Sequence, residues 1–121
     1  MNADDGRSRR HDQASLIKAQ IKAGEELRRA IRRASAAADL EVLGAELAAW
    51  SAGNERVLAE VCGEAERRAY RRTTASRAAP SAIFSAELIR VERSTDSRLR
   101  YLQATIARID LARELAAGGG P

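Results

Sequence analysis

The chain has 121 residues and a net charge of +4, and only 23 of its residues, 19%, are Leu, Ile, Val or Phe, a proportion that borders on disorder when charge is high. Ala, Glu, Lys, Leu and Arg supply 69 residues, 57% of the chain, which is the composition of long helices wherever a period of 3.5 to 3.6 residues accompanies it. The scarcity of β-branched and aromatic residues speaks against a sheet protein, and the lack of any run of about 18 apolar residues against a membrane span.

Residues 1–11 (MNADDGRSRRH) are polar and aperiodic, so they are expected to form a disordered tail that carries the only histidine, His11. No apolar segment follows their basic residues, so no secretory leader is expected and the protein is placed in the cytoplasm. A first helix is predicted over residues 12–37. Its Leu16, Ile17, Ile21, Leu27 and Ile31 share one stripe with Gly24 and Ala34, while Lys and Arg cover the rest. A glycine inside a helix costs about 1 kcal/mol relative to alanine, so a neighbouring helix is expected to approach Gly24 closely. Asp39 is the expected N-cap of the next helix, with Glu41 favourable in its first turn.

That second helix carries the clearest pattern. Leu40, Leu43, Leu47, Trp50, Asn54, Val57 and Val61 alternate spacings of three and four, a heptad seam whose members are expected core anchors. Asn54 on the seam either fixes register or lines a ligand site, the first reading being favoured. The seam runs on through Ser51, Ala52 and Gly53, so no turn is needed there. Cys62 has no second cysteine to pair with and is expected to be a small buried apolar residue. Gly63 is expected to end the helix in the left-handed conformation.

A short amphipathic helix over residues 64–72 and a loop over 73–81 follow. Pro80 then sets up a last helix, capped by Ser81 or Ser85 and running to about residue 116. Its stripe is Phe84, Leu88, Val91, Thr95, Leu99, Leu102, Ile106 and Ile109. Residues 118–121 (GGGP) form a flexible tail or the start of a linker. The expected domain spans residues 12–117: all-α, an antiparallel three- to four-helix bundle of long amphipathic helices. Its core is thin and alanine-rich, anchored by Trp50, Tyr70, Phe84 and Tyr101, and its low stability favours self-association along leftover apolar surface.

Chemistry is sparse. One histidine and one cysteine do not make a conventional zinc site, and a Ser or Cys nucleophile would find no histidine base within the folded part. The carboxylate pairs fall on polar faces beside arginines, where surface pairing outweighs acid–base catalysis. Neither catalytic residues nor a cofactor are therefore expected. Charge is segregated, however: residues 39–66 carry seven acids against Arg56 alone, whereas residues 67–77 carry Arg67, Arg68, Arg71, Arg72 and Arg77 and no acid. The favoured reading is two solvated faces attracting each other across the bundle. The alternative is a phosphate-binding patch in which these arginines flank a stacking Tyr70, although no known nucleic-acid-binding signature accompanies it.

The opening Gly24-Glu25-Glu26-Leu27, the Glu46-Leu47-x-x-Trp50 leading to Val57-Leu58-x-x-Val61-Cys62-Gly63, and the Tyr101-Leu102 with Ile106-x-x-Ile109 are mostly core positions. In these the chain resembles a small helical module found beside TIR-like, nucleotide-binding or other effector domains in bacterial proteins, many associated with anti-phage defence. Those modules often carry a large aromatic where this chain has Cys62, and aromatics in the following loop, which here is alanine and arginine. The resemblance implies an adaptor or oligomerisation role and transfers no catalytic residue. The expected function is thus a non-enzymatic helical protein–protein interaction or oligomerisation module of a bacterial defence or signalling system, acting on a protein partner or a second copy. The alternative is a small basic regulator binding nucleic acid or nucleotide through residues 67–77.

Overall fold

A computed structural model describes residues 3–76 and 78–118, and the described residues form four helices: α1 (Ala3–Arg32), α2 (Ala37–Cys62), α3 (Glu64–Thr74) and α4 (Phe84–Gly118). No helix among them is long and apolar enough to cross a membrane. Side-chain contacts fix the topology. Arg28 reaches Asp96 at 3.3 Å and Arg32 reaches Glu92 at 2.9 Å, so α1 and α4 run antiparallel. Gln20 bonds Asn54, and Tyr70 bonds both Ser51 and Asn54, which sets α2 antiparallel to α1 and α3 antiparallel to α2. The result is an all-α, up-down-up-down bundle in which α2 and α4 touch across the diagonal and α1 and α3 do not.

The core is drawn from all four helices: Ile17, Leu27 and Ile31 of α1, Leu47, Trp50 and Leu58 of α2, Tyr70 of α3, and Val91, Leu99 and Leu102 of α4. Gly24 is where the helices come closest. A Cβ there would lie 2.6 Å from Leu99 Cδ2, 2.9 Å from Trp50 Cε2 and closer still to Trp50 Cζ2, so the close approach expected from sequence is present. The Trp50 indole N–H donates to the Gln20 carbonyl at 2.9 Å, which keeps the ring over that glycine.

Several expectations change. The backbone is helical from Ala3, where a tail through residue 11 was expected; residues 3–12 contain no proline and one glycine, so nothing in them stops the helix from propagating. At the other end α4 closes at Gly118, and the remainder of the expected tail, residues 119–121, lies outside the described residues. α1 stops at Arg32 and α2 begins at Ala37, two residues before the expected cap. Asp39 is the third residue of α2 and its carboxylate accepts the Ser35 and Ala36 backbone N–H groups at 3.0 and 3.1 Å, the returning half of a capping box. Before α4, the Ser81 hydroxyl accepts the Ile83 N–H at 3.1 Å, shaping the approach to the helix without occupying its first position.

The seam of α2 is corrected too. Leu40, Leu47, Trp50 and Asn54 are buried as expected, but Leu43, Val57 and Val61 are half-buried and flank a line that continues through the fully buried Leu58. From Leu47 to Leu58 the buried positions advance eleven residues in three turns, the period of a nearly straight helix and not of a left-handed coiled coil. By Cys62 that line has turned away, and the cysteine is exposed. Phe84, at the start of α4, is half-buried and outside the core cluster. Gly63 has φ 98° as expected for a helix stop, but its ψ of 170° is extended, a combination open essentially to glycine alone. It ends α2 by donating to the Ala59 and Leu58 carbonyls, and its own carbonyl accepts the Glu66 and Arg67 N–H groups that open α3.

Candidate functional site

The arginine-rich segment becomes α3, and helical geometry splits it by face. Tyr70 points inward and is 1% exposed, held by its hydroxyl against Ser51 (2.8 Å) and Asn54 (3.0 Å), so it offers no surface for stacking. Burial raises its pKa above the usual tyrosine value, and the two hydrogen bonds act against that rise. Arg71 bonds Glu55 on α2 at 2.8 Å through Nε. Arg67 pairs with Glu64, holding that carboxyl below its ordinary pKa, and lies 3.9 Å from Glu55. Arg68 and Arg72 point outward and are exposed. Arg77 lies outside the described residues. The segment is thus half a partner for the acidic helix, as the favoured reading had it, and half an outward cationic edge; the alternative patch lacks the stacking ring it drew from Tyr70.

Asn54 is fully buried and accepts from Gln20 Nε2 at 2.8 Å while donating to Tyr70. Arg98 of α4 closes the system by donating to Ser51 Oγ at 2.9 Å and to the Ser94 carbonyl at 3.1 Å. The buried threonines turn their hydroxyls back on their own helices, Thr74 to the Tyr70 carbonyl, Thr95 to Val91 and Thr105 to Tyr101. This is a registering network tying four helices, which is the structural reading of Asn54.

Two of the open grooves among the described residues bear on function. One is a shallow groove of about 630 Å³ between the C-terminal end of α3 and the outer face of α4, lined by Thr73, Arg93, Ser97, Arg100 and Tyr101 among others. Tyr101 is half-exposed, its ring edge-on to Tyr70 at 5.4 Å and its hydroxyl donating to Glu66 at 2.9 Å; partial burial, then the Glu66 carboxylate, raises its pKa. The other is a mostly apolar groove of about 300 Å³ where α2 ends, bounded by Gln13 and Ala14 of α1, Val61 and Cys62 of α2, and Ile109, Ala112, Arg113 and Ala116 of α4. Leu111 and Leu115, one turn apart on the same stretch of α4, are 55% and 66% exposed and lie outside the groove's lining. The Cys62 thiol at its rim is held above its usual pKa by burial and then by Glu66, which keeps it a thiol at neutral pH and a poor nucleophile. Among the described residues no group of three His, Cys, Asp or Glu could hold a metal ion.

No family model, curated protein or solved structure matches the chain. The site residues that the sequence reading missed are Arg93, Arg100, Tyr101, Leu111 and Leu115. The seven-residue spacing of the two arginines was a signal for one shared face. The leucines fall off the stripe that continues through Ile106 and Ile109, which marked them as outward.

Proposed function

We propose that this chain is a non-enzymatic helical oligomerisation module that pairs with a second copy of itself through the open end of the bundle. The observation carrying the proposal is that one stretch of α4 both lines an apolar groove, through Ile109, Ala112 and Ala116, and projects Leu111 and Leu115 into solvent from an adjoining face. A convex apolar ridge next to a concave apolar groove is self-complementary, because a two-fold axis sets each copy's leucines into the other's groove. The groove is lined mostly by alanine and short aliphatic side chains, which admit a helix at close range. The patch is small, so the association is weak, in the micromolar range. Setting the module in the cytoplasm, in a bacterial defence or signalling system, is part of this proposal and rests on the resemblance of its core positions to the effector-associated module.

Sedimentation at tens of micromolar is expected to show a concentration-dependent dimer. The paired change Leu111→Ser and Leu115→Ser, at exposed positions, is expected to leave helicity intact and give a monomer. A wild-type chain that stays monomeric, or a dimer indifferent to the two serines, overturns the proposal.

A further inference from the structure

The groove between α3 and α4 is distant in character from the apolar end and independent of it. Arg93 and Arg100 stand on one face of α4, two turns and about 10 Å apart along the axis, and neither has a carboxylate within ion-pair distance among the described residues. Asp96, the carboxylate in the groove, is already engaged by Arg28 from the far side of α4. Thr73, in the wall made by α3, and Ser97 on α4 also line the groove. Tyr101 lines the same groove, its ring fixed by Tyr70 and by Glu66.

We infer that this groove binds the sugar–phosphate chain of a single-stranded nucleic acid, with Arg93 and Arg100 on phosphates and Tyr101 as a stacking platform. A lone phosphate is too small to meet both cations, whereas a chain of linked phosphates can place one on each. The groove is open along its length, so a polymer can pass through it. A ring at its wall rewards an unpaired base, whose face is free, over a base held in a duplex. The exposed Arg68 and Arg72, on the outer face of α3, add attraction at longer range without lining the groove.

The test is fluorescence anisotropy of the full chain with labelled oligo-dT and oligo-U of about twenty nucleotides, at about 50 and 200 mM salt. Both oligomers are expected to bind, because phosphate pairing and base stacking do not depend on the sugar. Arg93→Ser with Arg100→Ser is expected to weaken binding at least tenfold and to reduce the salt slope by about 1.4, at about 0.7 per phosphate contact on a single strand. Arg68→Ser with Arg72→Ser is expected to weaken it less. Three results overturn the inference: no binding at the lower salt, equal losses from the two arginine pairs, or polyglutamate or duplex bound as tightly as the single strand. Circular dichroism of each variant separates loss of binding from loss of fold.

Discussion

At the level of Gly24 and Leu99 four helices close around Trp50, and Gln20, Ser51, Asn54, Tyr70 and Arg98 bond one another across them. Past Cys62, α2 has ended, and α4 carries Leu111 and Leu115 into solvent on the same stretch that lines a mostly apolar groove. The middle is specified by geometry, because a buried amide, two hydroxyls and an indole N–H are satisfied in one arrangement and leave costly orphans in others. The open end has apolar area without directional bonds. That difference assigns stability to the middle and leaves the end available for docking.

The sharpest way to break this contrast is to truncate one large apolar residue in each region. Trp50→Ala removes the ring that fills the space beside Gly24 together with its bond to the Gln20 carbonyl, and is expected to cost about 3–5 kcal/mol in urea denaturation. Leu115→Ala, measured at a concentration low enough to keep the chain monomeric, is expected to change stability by no more than about 0.5 kcal/mol. A comparable loss at both sites would make the open end part of the core.

The network within the middle predicts the next largest effect. Asn54→Ala leaves the Gln20 amide without its main acceptor and takes one of the two partners from the Tyr70 hydroxyl, an expected loss of about 1–3 kcal/mol. Tyr70→Phe strips Asn54 and Ser51 of the same hydroxyl. Since the two substitutions remove one shared bond, the double variant is expected to lose less than the sum of the singles. Strict additivity would mean that the bonds act separately and that the middle is held by packing alone.

Much of this was legible in the sequence. The periodic stripes placed four helices, Gly24 signalled a close approach, and Asn54 on the apolar line signalled a buried polar tie. What escaped depends on relations between helices. The heptad spacing of α2 suggested Val57 and Val61 as anchors, yet with α2 nearly straight the core line passes through Leu58, a choice set by where α1, α3 and α4 lie. Tyr70 carried two readings in the sequence, a core anchor and, in the alternative, a stacker among arginines; the first holds, and what decides between them is the tie to Ser51 and Asn54, sixteen or more residues away. Arg93, Arg100 and Tyr101 acquire meaning only when α3 forms the opposite wall of their groove.

The smallest effect tests the close approach itself by making one substitution at two glycines. Gly44, inside α2, has no atom within 4 Å of where a Cβ would stand, so Gly44→Ala brings only the propensity gain, up to about 1 kcal/mol. Gly24→Ala has the same gain available in α1. Its new methyl, however, must displace either Leu99, which is fully buried, or an indole pinned by its bond to Gln20, and overpacking of this kind costs about 1–3 kcal/mol. The two variants are therefore expected to move the denaturation midpoint in opposite directions. If both raise it, the bundle relaxes at its narrowest point, and Trp50 anchors it by apolar burial without being locked over Gly24.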